Sequence, residues 1–170
     1  MVNIFCTKKL EGFVTTEERT LESYTSDNNW NAQLIFIDRK KCIYLIHKRT
    51  LYAFLILNIS KKDLPNLAQL FLNGFIAQLK IDNLYNPVLD NYLKENYSCI
   101  KLFKTDNDQK TLGTLRDGTS HLKFYIENEH DKIKAVNRHQ HQTINIIPIG
   151  SRKFKCGKDM MKKELECFLA

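Results

Sequence analysis

The chain reads as an α+β domain, an antiparallel sheet built on a three-stranded meander with helices packed on it. Residues 33–57, QLIFIDRKKCIYLIHKRTLYAFLIL, hold three apolar runs, Leu34 to Ile37, Ile43 to Ile46 and Leu51 to Leu57. The runs are short and rich in β-branched and aromatic residues, which favours strands over helices. Two basic breaks, Arg39-Lys40-Lys41 and Lys48-Arg49-Thr50, have the length of hairpin loops. None of the runs alternates cleanly between apolar and polar, so both faces of the sheet should be covered. The cover is visible next in the chain, where Leu64, Leu67, Ala68, Phe71, Phe75 and Leu79 fall on one stripe at helical spacing.

Taken in order, Val2 to Cys6 is an apolar run able to add a strand to this sheet. Thr15 to Asn29 is polar and acidic and reads as a surface segment, with one helical turn around Glu17 to Leu21. Trp30 then stands before the meander, as a core anchor with its indole N–H satisfied or, in a sharper reading, as a stacking platform for a base. After the meander, Ser60 and Asp63 have capping-box spacing and Pro65 suits a first helical turn, so a helix begins here. Gly74 inside it costs about 1 kcal/mol against Ala, which points to a close backbone contact. Asn86-Pro87 opens a shorter helix to about Asn96, with Val88, Leu89, Tyr92 and Leu93 as its buried side.

Cys99 to Lys104 reads as a strand and Asp106 to Arg116 as a helix touching the core through Leu112 and Leu115. Asp117-Gly118 marks a stop. His121 to Ile126 is a strand or a helix, which periodicity does not decide, and Glu127 to Arg138 is charged and weakly patterned. Thr143 to Ile149 reads as a strand whose Pro148 confines it to an edge or exit. A final helix, Asp159 to Leu169, carries Met161, Leu165, Phe168 and Leu169 on one face. With no internal repeat, low-complexity tract or linker, residues 1–170 form a single α+β domain.

At 170 residues such a domain buries roughly 70% of its unfolded surface. No apolar run approaches the ~20 residues that span a bilayer, and MVNIFCTKKLEGF lacks the apolar core of a secretory signal. Membrane association is therefore not expected. The five cysteines are odd in number and scattered, which fits a reduced cytoplasmic chain, with Cys42 and Cys99 as small buried hydrophobes. The formal charge of +7 is uneven: residues 1–100 carry 12 basic and 10 acidic side chains, residues 101–170 carry 14 and 9. A modest positive field assists association with nucleic acid or an acidic protein.

Motifs for chemistry are sparse. His139 and His141 form an H-x-H pair that on a strand would share one face, able to ligate a metal or to serve acid–base cleavage of RNA. Within RHQHQ, solvated surface histidines are the simpler reading. The run from Gly150 to Asp159 departs from a phosphate loop: six residues separate its glycines, and Asp159 stands where Ser or Thr would hold Mg²⁺. No C-x-x-C pair supports a structural zinc, and no dinucleotide fingerprint or nucleophile elbow occurs, so neither metal nor cofactor is expected. Arg152, Lys153, Phe154, Lys155, Lys158 and Lys162 make the densest basic run, with one aromatic for stacking; the plainer alternative is a solvated loop and helix face.

Three pieces, C-T-K-K-L at Cys6 to Leu10, W-N-A-Q-L-I-F-I-D-R-K-K at Trp30 to Lys41 and V-N-R at Val136 to Arg138, together resemble a bacterial family of small single-domain proteins known only as a domain of unknown function. In that family the middle block typically runs W-H-A-N-L, so Asn31 and Gln33 stand here where His and Asn are usual. The resemblance implies an α+β domain in a bacterial cytoplasm and carries over no activity, cofactor or catalytic residue. The function expected from all of this is a non-catalytic binding module contacting nucleic acid or a protein partner through Arg152 to Lys162. The alternative is a small toxin-like nuclease using His139 or His141.

Overall fold

A tight turn organises the sheet. In the computed structural model, which describes residues 1–18, 26–149 and 155–168, Asp38 and Arg39 both adopt positive φ, 47° and 62°. That is the backbone of a two-residue type I′ turn, whose twist matches the strands it joins. Lys40 and Lys41 therefore belong to the following strand. Strands β2 (Asn29–Ile37), β3 (Lys40–His47) and β4 (Ala53–Ile56) form the expected antiparallel meander.

β1 (Val2–Cys6) corrects the expectation of an antiparallel sheet. It lies parallel to β2 on one side and to β5 (Ile100–Lys104) on the other, giving a mixed five-stranded sheet of order β4-β3-β2-β1-β5. Parallel neighbours need long crossovers, and the chain between β1 and β2 and between β4 and β5 is long enough. In the first of these, Glu17 forms no helical turn; its N–H donates to Leu102 O at 2.7 Å, a bridge along β5. Most of the supposed turn lies outside the described residues.

Both faces of the sheet are covered, as the unbroken apolar runs require. On one face Ile4, Cys6, Trp30, Ala32, Ile43, Leu45, Phe54 and Ile56 pack under α1 (Lys8–Glu11), α2 (Leu67–Ile81), α3 (Asp90–Tyr97) and α6 (Gly157–Glu166). On the other face Ile35, Ile37, Tyr44, Ile46 and Leu55 pack under α4 (Gln109–Asn128) and α5 (Lys132–Gln142). Trp30 is a core anchor: fully buried, it meets Phe54, Phe71 and Phe75 edge-on at 5.3–5.5 Å, and its indole N–H donates to Asn28 Oδ1 at 2.9 Å.

The capping box at Ser60 and Asp63 starts a 3₁₀ turn, Lys61–Asn66, which holds Pro65 and leads into α2. At Gly74 an added Cβ would sit 3.1 Å from the Phe54 ring, so the close contact is with a side chain. A second 3₁₀ turn, Pro87–Leu89, shifts the phase of α3. Leu89, Leu93 and Tyr97 are consequently buried while Val88 is 71% exposed, against its expected place inside. Cys99, also expected inside, is exposed at the start of β5; Cys6 and Cys42 are buried.

Asp117-Gly118 stops nothing. Both lie within α4, which runs unbroken over 20 residues and includes His121 to Ile126. Glycine is there because a Cβ would come within 2.9 Å of Tyr44 Cζ, so the helix can rest on that ring. Thr143 to Ile149 is a turn region instead of a strand, and Ile149 bridges to Lys155. Its edge-covering work is done by a side chain. Asn145 Oδ1 accepts from the Ala53 N–H at 2.7 Å and its Nδ2 donates to Ala53 O at 2.9 Å, as a strand residue would. α6 begins at Gly157 and buries Met161 and Leu165, while Phe168 beyond its end is half exposed and stacks on Tyr92. Leu169 lies outside the described residues.

Candidate functional site

The H-x-H pair falls on α5, and this separates its members. Residues two apart on a helix face different ways. His139 points into the core with no exposed surface, while His141 is exposed. His139 Nε2 lies 3.3 Å from Tyr44 Oη, and its Nδ1 has no hydrogen-bond partner. Burial, with a smaller contribution from nearby His121, lowers the His139 pKa from 6.5 to about 4. Burial likewise raises that of Tyr44. The imidazole is thus neutral at physiological pH.

This neutrality has a measurable result. The unfolded chain takes up the His139 proton near pH 6.5 and the folded chain only near 4, so this stabilising contribution is complete above 6.5. It is lost as pH falls from 6.5 to about 4, by ~3 kcal/mol at 1.36 kcal/mol per unit. Urea unfolding at pH 7 and pH 4.5 should show the loss, and His139→Gln should flatten it. An equally steep pH profile in the variant would assign the loss to other groups.

Beside the pair, a cleft of about 310 Å³ opens between β3, α4 and Ile144 to Ile149, with Asp117, Ser120 and His121 along it. Its floor, Tyr44 and His139, is sealed from solvent. Among the described residues no group of three His, Cys, Asp or Glu side chains is placed to hold a metal.

The C-terminal basic run is placed in part. Arg152, Lys153 and Phe154 lie outside the described residues. Lys155 is exposed at the Ile149 bridge, and Lys158 and Lys162 follow on α6, one turn apart. Lys162 Nζ stands 3.7 Å from Glu166, a solvated i,i+4 pair worth a few tenths of a kcal/mol at about 0.3–0.5. The helix itself is set tightly: an added Cβ at Gly157 would meet Leu51 O at 2.8 Å.

A second basic surface lies at the β2–β3 tip. Phe36 is 49% exposed, with Lys9 Nζ 4.6 Å and Lys41 Nζ 6.0 Å from its ring centroid. Arg39 and Lys40 occupy the adjoining turn and strand end, with Asp38 between β2 and Arg39. Lys123 of α4 joins Lys9 and Phe36 in lining a groove of about 330 Å³, floored by Gln33, Leu34, Ile35 and Leu122. Among the described residues, no carboxylate lies within ion-pair distance of these five cations, unlike Lys48, Arg49 and Arg138.

Deeper in, Asp82 ends α2 as a buried carboxylate. Its Oδ2 accepts from Tyr52 Oη at 2.6 Å, Asn145 Nδ2 at 2.9 Å and Gln78 Nε2 at 3.1 Å. Burial, then the Asp82 charge and hydrogen bond, hold the Tyr52 hydroxyl well above its ordinary range. The network joins α2, β4, the Thr143 to Ile149 turn and, through Lys158 N to Asn145 O, the start of α6. It ties these elements together.

A family model described as Domain of unknown function (DUF6933) matches residues 3–159. The chain belongs to this family. No curated protein and no solved structure matches it. The matched span includes all three pieces on which the resemblance rests, and the family description names no activity. Asn31 is fully buried with neither side-chain atom hydrogen-bonded, so that position faces the interior under α4. Among the described residues no helix is long and apolar enough to cross a membrane.

The sequence marks out the C-terminal lysines, while Tyr44, Asp82, Asn145 and the Lys9–Phe36–Lys123 groove come together only in the fold. One signal was present: a glycine inside a helical stretch, at 118, marks the place where a large side chain must fit.

Proposed function

We propose that the protein is a non-catalytic binding module for an anionic macromolecule, nucleic acid or acidic protein, in the bacterial cytoplasm. The observation that carries this reading is the set of cations Lys9, Arg39, Lys40, Lys41 and Lys123, without an ion-pair partner among the described residues and grouped around a half-exposed Phe36. Among the described residues none of them is held in an ion pair, so an incoming anion need not displace a carboxylate to reach them. Arg152 to Lys162 supplies further positive charge from the other end of the chain. The nuclease alternative has less support, because no single phosphate could touch both a sealed His139 and an outward His141.

Fluorescence anisotropy with labelled single-stranded DNA and with polyglutamate tests this directly. Binding of either should weaken steeply between 50 and 200 mM salt, roughly as counterion release requires, and leave the DNA intact. Lys153→Glu with Lys155→Glu should cost more than about 1 kcal/mol of binding if the C-terminal run takes part, with thermal stability moved by less than the equivalent of ~0.5 kcal/mol. Unchanged binding would remove that run and leave the β2–β3 tip. Failure to bind either polyanion, or DNA cleavage lost on His141→Ala, would overturn the class.

A further inference from the structure

We infer that the groove beside β2 receives an extended, acidic peptide segment of a partner protein by strand addition; the acidic character of that partner rests on the reading above. β1 pairs with β2 from Asn3 and Asn29 as far as Cys6 and Ala32, with Thr7 N donating to Ala32 O just beyond. β2 continues for five residues past that point to Ile37. Lys48 N donates to Asn29 O, so the odd-numbered residues of β2 bond β3 and the even-numbered ones turn toward the β1 side. Leu34 and Phe36 accordingly present their N–H and C=O groups into the space β1 has left, and neither residue makes a backbone hydrogen bond there among the described residues.

Unpaired edges invite another strand, and proteins commonly cover them. This chain does so elsewhere: Glu17 bridges onto β5, and the Asn145 amide pairs Ala53 on β4. At Leu34 and Phe36 there is instead a groove of about 330 Å³, with Lys9 and, from α4, Thr119 and Lys123 among its lining. The edge offers alternating donors and acceptors. A phosphate chain could use only the donors, whereas a peptide backbone uses both. The apolar floor of Ile35, Leu122 and Ile126 suits one side of an extended segment, and the lysines suit acidic side chains on the other.

Proline at position 36 isolates the backbone. It deletes an N–H that faces the groove and leaves the β3 ladder intact, as an edge position tolerates. Phe36→Ala is the control, since it removes the ring and keeps the N–H. The probe is an acetylated, amidated peptide alternating Glu and Val, titrated by anisotropy, with amide hydrogen exchange read by NMR. Peptide should slow exchange at Leu34 and Phe36 in the native chain, and Phe36→Pro should bind it roughly tenfold more weakly than Phe36→Ala.

Equal affinity in the two variants, with no protection at Leu34, would overturn strand addition, while salt-sensitive polyanion binding elsewhere would leave the binding-module reading standing. Protection of the same amides by single-stranded DNA alone would also overturn it and assign the groove to nucleic acid. Protection that grows with protein concentration in the absence of peptide would assign the edge to a second copy of this chain, again against the proposal. If no anionic probe binds at all, both readings fall together.

Discussion

Trp30→Ala should cost about 3–5 kcal/mol of folding stability, the range for deleting a large aromatic from a packed core. The indole stands where β2 meets α2 and touches rings from three directions: Phe54 of β4, and Phe71 and Phe75 of α2. His47 closes a fourth side at 4.9 Å between ring centroids. A close-packed shell of rigid rings cannot collapse into the space left behind, which puts the loss toward the upper part of that range. The Asn28 carbonyl oxygen would also lose the indole N–H that it accepts. Trp30→Phe should cost less, because a ring still fills part of the volume. Trp30 is the only tryptophan in the chain, so urea unfolding must be followed by far-ultraviolet circular dichroism. A midpoint shift worth less than about 1 kcal/mol would mean that the aromatic cluster is not the centre of the core.

The meander was legible because its information is local. Apolar runs of strand length separated by short polar breaks identify β2, β3 and β4 without reference to the rest of the chain. The direction in which β1 pairs is not local, since a buried strand reads the same whether its neighbours run parallel or antiparallel. The same limit explains α4. Asp-Gly is a turn signal in isolation, yet Gly118 is tolerated inside a helix because Tyr44, far away in sequence, needs the space. Once α5 is a helix and not a loop or strand, His139 and His141 turn to different sides and no longer share one face. The Thr143 to Ile149 run misled because its hydrophobic residues imitate a strand, whereas its structural contribution is the polar side chain of Asn145. The basic surface at Lys9, Phe36 and Lys123 draws on three separate elements, so only the fold brings it together.

Asp82→Ala should cost about 4 kcal/mol, close to the effect at Trp30 although no large apolar group is removed. The carboxylate is 2% exposed and is the shared acceptor for Tyr52, Gln78 and Asn145. Hydrogen bonds to a charged group are each worth about 1.5–3 kcal/mol, and a buried donor left without an acceptor costs about 1–3 kcal/mol. These contributions overlap, so the whole is smaller than their sum. The desolvation of the carboxylate itself is regained on deletion, which lowers the net cost further. The effect should also spread: Asn145, freed from Asp82, would hold the Ala53 edge less firmly, so amide exchange at Ala53 should quicken more than at Ile43 in the centre of the sheet. Asp82→Asn keeps the shape and one accepting oxygen and should lose roughly half as much. Pairing Asp82→Ala with Tyr52→Phe shows whether the groups act as one unit. Coupling of 1 kcal/mol or more is expected for side chains that share a hydrogen bond, and additivity within about 0.5 kcal/mol would show instead that Asp82 stabilises the fold without acting through Tyr52.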